Sequence, residues 1–220
     1  MTRNTFVISA DLGQVNDYTA ITIIESTGDR GTGFITFDTP KQPEPLMLCL
    51  RHIERPERGT TYPKIVERIK ELCESPQLRY EDRAVVIDMT GLGKPIWDFM
   101  QGNGFKGKMN GITITGGNIV TQEQARNGAS LPIYHVPKRD LVSALQVAFQ
   151  NGQLKIAQGL PEADTLVKEL TNFKVKISVS GHDTYEAWRE SIHDDIVLSA
   201  AMGVWLAQKK TYRLYWRHSR

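Results

Sequence analysis

Cysteine is scarce: Cys49 and Cys73 are the only two in 220 residues. They sit in apolar surroundings without metal-ligand spacing, which argues against a zinc cluster or a disulfide framework. Aromatic residues make up 8% of the chain. No apolar run approaches the roughly 20 residues that a membrane-crossing helix needs. The opening MTRNTFVISADLG runs straight into a strand-like pattern and offers no secretory core or cleavage site, so a cytoplasmic, non-secreted chain is expected. Internal repeats and Pro/Gly-rich linkers are lacking, which favours one domain. The phosphate-cradling pattern G-x-x-x-x-G-K-[ST] is missing too. Gly91-Leu92-Gly93-Lys94 is too short for it and has no hydroxyl residue after the lysine.

What is present supports a sizeable core. The chain is 40% apolar and 24% charged, which excludes wholesale disorder. The formal net charge of +2 conceals an asymmetry. The last twelve residues, KKTYRLYWRHSR, hold five Lys or Arg and no acid, so residues 1–208 carry 22 bases against 25 acids. The expected organisation is therefore a body over 1–208 and a basic, aromatic tail over 209–220.

The first half reads as strands. Thr5–Ala10 is short and apolar, Thr19–Ser26 is β-branched, and Gly33–Asp38 alternates as a half-exposed strand does. Joined by short turns, the three predict an antiparallel meander. From Thr61 the period changes. Ile65, Ile69 and Leu72 form a helical stripe that Thr60 or Thr61 can cap, and Pro63 suits its first turn. Ala84–Ile87 is an uninterrupted apolar strand ending in Asp88, as a strand buried on both faces should be. A short helix through Trp97 and Phe99 follows, then a strand at Ile112–Ile114. Residues 115–137 show little periodicity and predict a long surface loop. Helices are expected over Lys138–Asn151, Pro161–Leu170 and Ile192–Gln208, the last apolar almost all round. Between the last two, Phe173, Val175, Ile177 and Val179 alternate with Lys174, Lys176 and Ser178, which predicts a strand turned back as a hairpin at Ser180-Gly181.

Acids occupy three unusual places. Asp11 ends the apolar strand FVISA, Asp88 ends AVVI, and Asp194 and Asp195 open the apolar final helix. Strand ends and helix starts can converge at one edge of a sheet. Carboxylates gathered there repel one another and take up protons unless a cation binds. Hard divalent ions such as Mg²⁺ or Mn²⁺ prefer oxygen ligands of this kind. Two such ions, about 3.5–4 Å apart, activate water and stabilise the leaving oxygen of a phosphodiester. Plainer roles also exist. An Asp before a glycine-containing turn serves as a turn former, and Ser191-x-x-Asp194 resembles a capping box with Asp194 as the third helical residue. Asp195 lacks that second role, which makes it the stronger metal candidate of the pair.

Four blocks, ISADLGQVNDYTAITII, VVIDMTGLGKPIWDFM, VPKRDLVSALQVAFQNGQLKI and HDDIVLSAAMGVWLA, follow the order and spacing seen in nuclease domains of phage terminase large subunits. The chain resembles that family over most of residues 5–208. The resemblance implies an α/β, ribonuclease H-like fold, a mixed five-stranded sheet flanked by helices. It implies a two-metal endonuclease, using Mg²⁺ or Mn²⁺, that cuts concatemeric phage DNA for packaging. By matching position, Asp11 corresponds to the first-strand catalytic acid, Asp88 to the middle one, and Asp195, with Asp194 beside it, to the acid at the start of the last helix. The partners implied are double-stranded DNA, a terminase ATPase domain, the small terminase subunit and the capsid portal, in the cytoplasm of a bacterial host, with no membrane. Without an ATPase motif, the chain reads as an isolated nuclease domain or a stand-alone relative.

An acidic centre that repels phosphate needs basic groups around it. Lys174 and Lys176 on the proposed hairpin, Arg189 beyond its return, and Lys138 are the candidates, with the tail's interleaved bases and aromatics as a further DNA or portal contact. Three other readings compete: a Holliday-junction resolvase-like nuclease, an actin-like nucleotide-binding module using the Asp-x-Gly at 11–13, and a non-catalytic DNA-binding or packaging-interaction module. The second is weakened because Asp88-Met89-Thr90-Gly91 lacks consecutive glycines.

Overall fold

The computed structural model describes residues 4–13, 17–27, 46–91, 93–102, 108–123, 133–179 and 194–218, and at 173–179 and 210–218 it describes backbone alone. Strand β1 (Thr5–Asp11) pairs antiparallel with β2 (Ala20–Thr27), and β2 pairs antiparallel with β3 (Met47–Glu54). The expected meander is present, but its third described strand lies at 47–54. The expected Gly33–Asp38 strand falls outside the described residues. The alternation of β3 is broken by a register shift opposite Ile23 and Ile24, where Ile23 meets His52 and Ile24 meets Leu50. Arg51 is the extra residue, so Leu48 and Leu50 point inward and the next inward residue is Ile53.

Helix α1 (Tyr62–Glu74) starts after Thr61 with Pro63 in its first turn, and it buries Ile65, Val66, Ile69, Leu72 and Cys73. Strand β4 (Asp82–Asp88) then runs parallel to β1. Helix α2 (Gly93–Gly102) leads to β5 (Lys108–Thr115), parallel to β4. Residues 115–137 are not the plain loop that their weak periodicity implies. They include β6 (Thr121–Glu123) and β7 (Ile133–Pro137), paired antiparallel, with β7 parallel to β5. In β7, Tyr134 and Val136 are buried, but five residues between Pro132 and Lys138 are too short a run to show a period.

Helix α3 (Lys138–Gln150) follows directly, and β8 (Leu154–Ile156) adds a parallel edge to β3. Helix α4 (Ala163–Val179) corrects a second expectation: residues 173–179, Lys174 and Lys176 among them, continue a helix and do not form a hairpin strand. Their alternation has the period of a strand, but no Gly or Pro interrupts the helix that enters them. The proposed turn at Ser180-Gly181 lies outside the described residues. The last helix, α5, runs Asp195–His218, starting later and extending further than expected.

The strand order is β6-β7-β5-β4-β1-β2-β3-β8. Among the described residues the sheet has eight strands where five were expected, with β3-β2-β1-β4-β5 as its contiguous mixed centre. Alternate residues of the central strands feed two cores. Ile8, Ala10, Val85 and Ile87 pack with α1 and α2 on one face. Val7, Ala20, Ile24, Ala84 and Val86 pack with α3, α4 and α5 on the other. Helix α5 approaches the sheet closely at Gly203, where a Cβ would lie 2.8 Å from Ser9 Oγ and 2.9 Å from an Ile24 carbon. A buried hydroxyl set fixes its height and register. Ser9 and Thr22 share a 2.7 Å hydrogen bond, Thr22 and Ser199 one of 3.0 Å, and the Ser199 hydroxyl donates to the Ser9 carbonyl. Among the described residues no helix is long and apolar enough to cross a membrane.

Candidate active site

The alternation that builds the two cores also aims the acids. Val7 and Ser9 face α5, so Asp11, two residues further on, faces α5 as well. Ala84 and Val86 pack on the α5 side, so Asp88 does too. Strands β1 and β4 are parallel, and Ala10 is level with Ile87, which leaves Asp11 and Asp88 side by side at adjacent strand ends. Asp195 is the first residue of α5, the helix laid over those strands. All three acids are buried.

Local turns hold the strand ends. Asp88 accepts a hydrogen bond from the Thr90 amide at 2.7 Å, and the Thr90 hydroxyl accepts one from the Ile114 amide. Gly91 takes φ 72°, and Gly93 lies so close to the Asp88 carbonyl that a Cβ there would overlap it. On the β1 side, Gly13 packs against the Tyr18 carbonyl and donates to the Thr19 hydroxyl.

The acids respond electrically to one another. Burial, then Asp88, Asp195 and Asp194, push the Asp11 carboxyl well above its ordinary 3.8, with Lys138 opposing. Burial also raises Asp88, against hydrogen bonds from Thr90 and Asp11 and the charge of Lys138. Two cations restrain the acids at the start of α5. Lys138, at the β7–α3 junction, donates to Asp194 at 2.7 Å. Arg55, just beyond β3, donates to Asp195 at 3.1 Å. Lys138, expected as a DNA contact, is thus mostly buried at the acid centre. Lys174 and Lys176 lie on α4 with only their backbone described, and Arg189 falls outside the described residues.

The capping role expected of Asp194 needs correction. Helix α5 begins at Asp195, and the Asp194 carbonyl accepts the first helical hydrogen bond, from Leu198. Asp194 therefore occupies the N-cap position and is not the third helical residue; Ser191 lies outside the described residues. The amides that an N-cap side chain would satisfy, Ile196 and Val197, both donate to Glu169 Oε2 at 3.1 Å. Glu169 comes from α4, is buried, and has its carboxyl pushed up to about 7, chiefly by burial. Sequence reasoning missed it. Its signal was its place three residues after Leu166 on the buried stripe of α4, where an acid is out of pattern. Arg55 was missed as well, because it lies in a non-periodic stretch, RPERG.

In donor type and charge, Asp11, Asp88 and Asp195 suit hard divalent cations. Burial, and after it the neighbouring acids, raise Asp11, and the share that comes from crowded negative charge is what a bound cation relieves. Among the described residues no three acid, His or Cys side chains already converge as a metal cage. Lys138 and Arg55 pair with Asp194 and Asp195 instead.

A mixed sheet of this order between two helical layers, with acids on its central strand ends and at the start of the last helix, is a ribonuclease H-like fold. The fold is similar to the crystal structure of the large terminase nuclease from thermophilic phage G20c, with TM-score 0.52 and 22% identity over 91% of this chain and 81% of that one. More distant are Thermus thermophilus RuvC (TM-score 0.39, 13% identity, 97% and 96% covered) and RuvC of the same organism with a Holliday junction substrate (0.32, 12%, 97% and 96%). No protein-family model matches the chain, and no characterised protein matches it by sequence.

Proposed function

We propose that this protein is a metal-dependent DNA endonuclease, the nuclease part of a phage terminase large subunit, which cuts concatemeric DNA during packaging. The observation that carries the reading is the shared orientation of Asp11 and Asp88 at adjacent strand ends beneath Asp195, in a fold similar to a large terminase nuclease. Asp11, Asp88 and Asp195, with Asp194 beside them, would hold two Mg²⁺ or Mn²⁺ ions. Such ions, when bound, supply water activation and stabilisation of the leaving oxygen. The chain's own residues prepare the site. The Thr90 amide orients Asp88, the hydroxyl set sets the height of α5, and Glu169 pins the first turn that carries Asp195. Lys138 sits beside the acids as a fixed positive charge for a scissile phosphate, and Lys174, Lys176 and Arg189 are the further candidates for phosphate contacts. The ATPase domain, the small terminase subunit and the portal are the partners this role requires, in the host cytoplasm.

The test is cleavage of supercoiled plasmid in Mn²⁺, in Mg²⁺ and in chelator. Nicked and linear products with either ion and none in chelator support the reading. Cleavage that persists in chelator, or no cleavage with either ion, overturns it.

A further inference from the structure

Arg55 stands between two acids and satisfies only one of them. Its Nη2 donates to Asp195 Oδ2 at 3.1 Å, while its Nη1 lies 3.9 Å from Glu169 Oε1, beyond hydrogen-bond reach. Among the described residues, Glu169 Oε1 and Arg55 Nε are buried without a hydrogen-bond partner. Buried polar atoms left in this state are uncommon and costly, and where they occur they mark a strained or working site. Glu169 Oε2 is fully engaged with the Ile196 and Val197 amides, so this carboxylate is fixed with its second oxygen turned to Arg55. The guanidinium also lies over the Tyr18 ring, 4.0 Å from its centroid. A ring face holds a cation without directional bonds, so it permits sliding in the plane of the guanidinium.

We propose that Arg55 is a resident counter-ion of the acid centre that exchanges Asp195 for Glu169 when a divalent cation takes Asp195. An approach of about 1 Å converts the 3.9 Å contact into a charge-assisted hydrogen bond. Without the metal, Arg55 neutralises Asp195; with it, Arg55 finds a second acid already aimed at it and is not expelled as a buried, unpaired charge. Glu169 is thereby a positioning residue, receiving the displaced cation and anchoring the helix start. The proposal rests on the metal-binding reading above.

Mn²⁺ titration calorimetry on the full chain tests it, with melting temperatures recorded for every variant. Glu169→Gln keeps an acceptor for the α5 amides but offers Arg55 no charge. It should weaken Mn²⁺ binding about tenfold, equivalent to about 1.4 kcal/mol. Arg55→Met should strengthen binding. The decisive measurement is the double variant: once Arg55 is gone, Glu169→Gln should change Mn²⁺ affinity less than about twofold. Plain electrostatics without exchange gives equal fold-changes from Glu169→Gln in both backgrounds, and that result overturns the proposal. A parent that binds no Mn²⁺ overturns the metal reading itself. A parent that binds, with equal fold-changes, overturns the exchange alone.

Discussion

Replacing Asp11 by asparagine should make the metal-free protein more stable, although it removes a residue assigned to the chemistry. Asp11 and Asp88 end neighbouring strands, whose axes are about 4.8 Å apart. Two unit charges about 5 Å apart, at an effective dielectric of about 20, repel by about 3 kcal/mol. Lys138 offsets part of this, and proton uptake offsets more, so a net gain of about 2 kcal/mol is expected. For a chain of this size that is roughly 4–8 °C in melting temperature. The pH dependence has a definite sign. Carboxyls raised in the folded state bind protons that the unfolded chain has already released, so folding stability is lost as pH rises from the ordinary carboxylate range through the raised values. Asp11 and Asp88 act in this direction, and so does Glu169 as pH rises from 4.5 to about 7. The advantage of Asp11→Asn should be largest near pH 8 and should fade toward pH 4, where Asp11 is protonated anyway. Scanning calorimetry in chelator at the two pH values measures it, and Mn²⁺ should then favour the parent. A variant that melts at or below the parent at pH 8 in chelator would refute the claim that crowded, buried charge dominates this edge.

Asp195→Asn should cost more Mn²⁺ affinity than Asp194→Asn, which should mainly lower stability by about 1 kcal/mol through loss of the Lys138 pair; calorimetric titration of both variants ranks them. Glu169→Ala should lower the melting temperature by roughly 4–8 °C, because two helix-start amides lose their acceptor, while Glu169→Gln should retain most of it. Thermal melts of the two variants in chelator compare them. Gly203→Val should destabilise by about 2 kcal/mol or more, since its side chain meets Ser9 and Ile24 where α5 lies closest to the sheet; urea denaturation reads the loss.

The parts of the fold that sequence alone revealed share one property: a clean period over enough residues. The ends of β1 and β4 were visible because each apolar run stops at an acid, and α1 because its stripe covers three turns. Strand β3 was missed because the extra residue Arg51 shifts its inward side chains halfway along. Strand β7 was too short to show a period, and the far half of α4 carries a two-residue alternation that local continuity overrides. The acids on apolar strand ends were legible for the same reason as the strands. Their common orientation follows from counting alternate residues in two parallel strands, which requires knowing that β1 and β4 are neighbours. Glu169 and Arg55 were illegible as a pair because they meet only after α4 and the end of β3 converge on the start of α5. Lys138 was visible as a base, but its burial against Asp194 was not.

The central claim is that Asp88 serves chemistry and not the fold. The direct measurement is the rate at which purified Asp88→Asn cuts double-stranded DNA in Mn²⁺, beside the parent at matched concentration, with a melting curve for each. The account predicts loss of cutting in a variant that melts at or above the parent in chelator, because the amide keeps the shape at the end of β4 and removes a buried charge. A variant that remains folded and cuts as fast as the parent contradicts it.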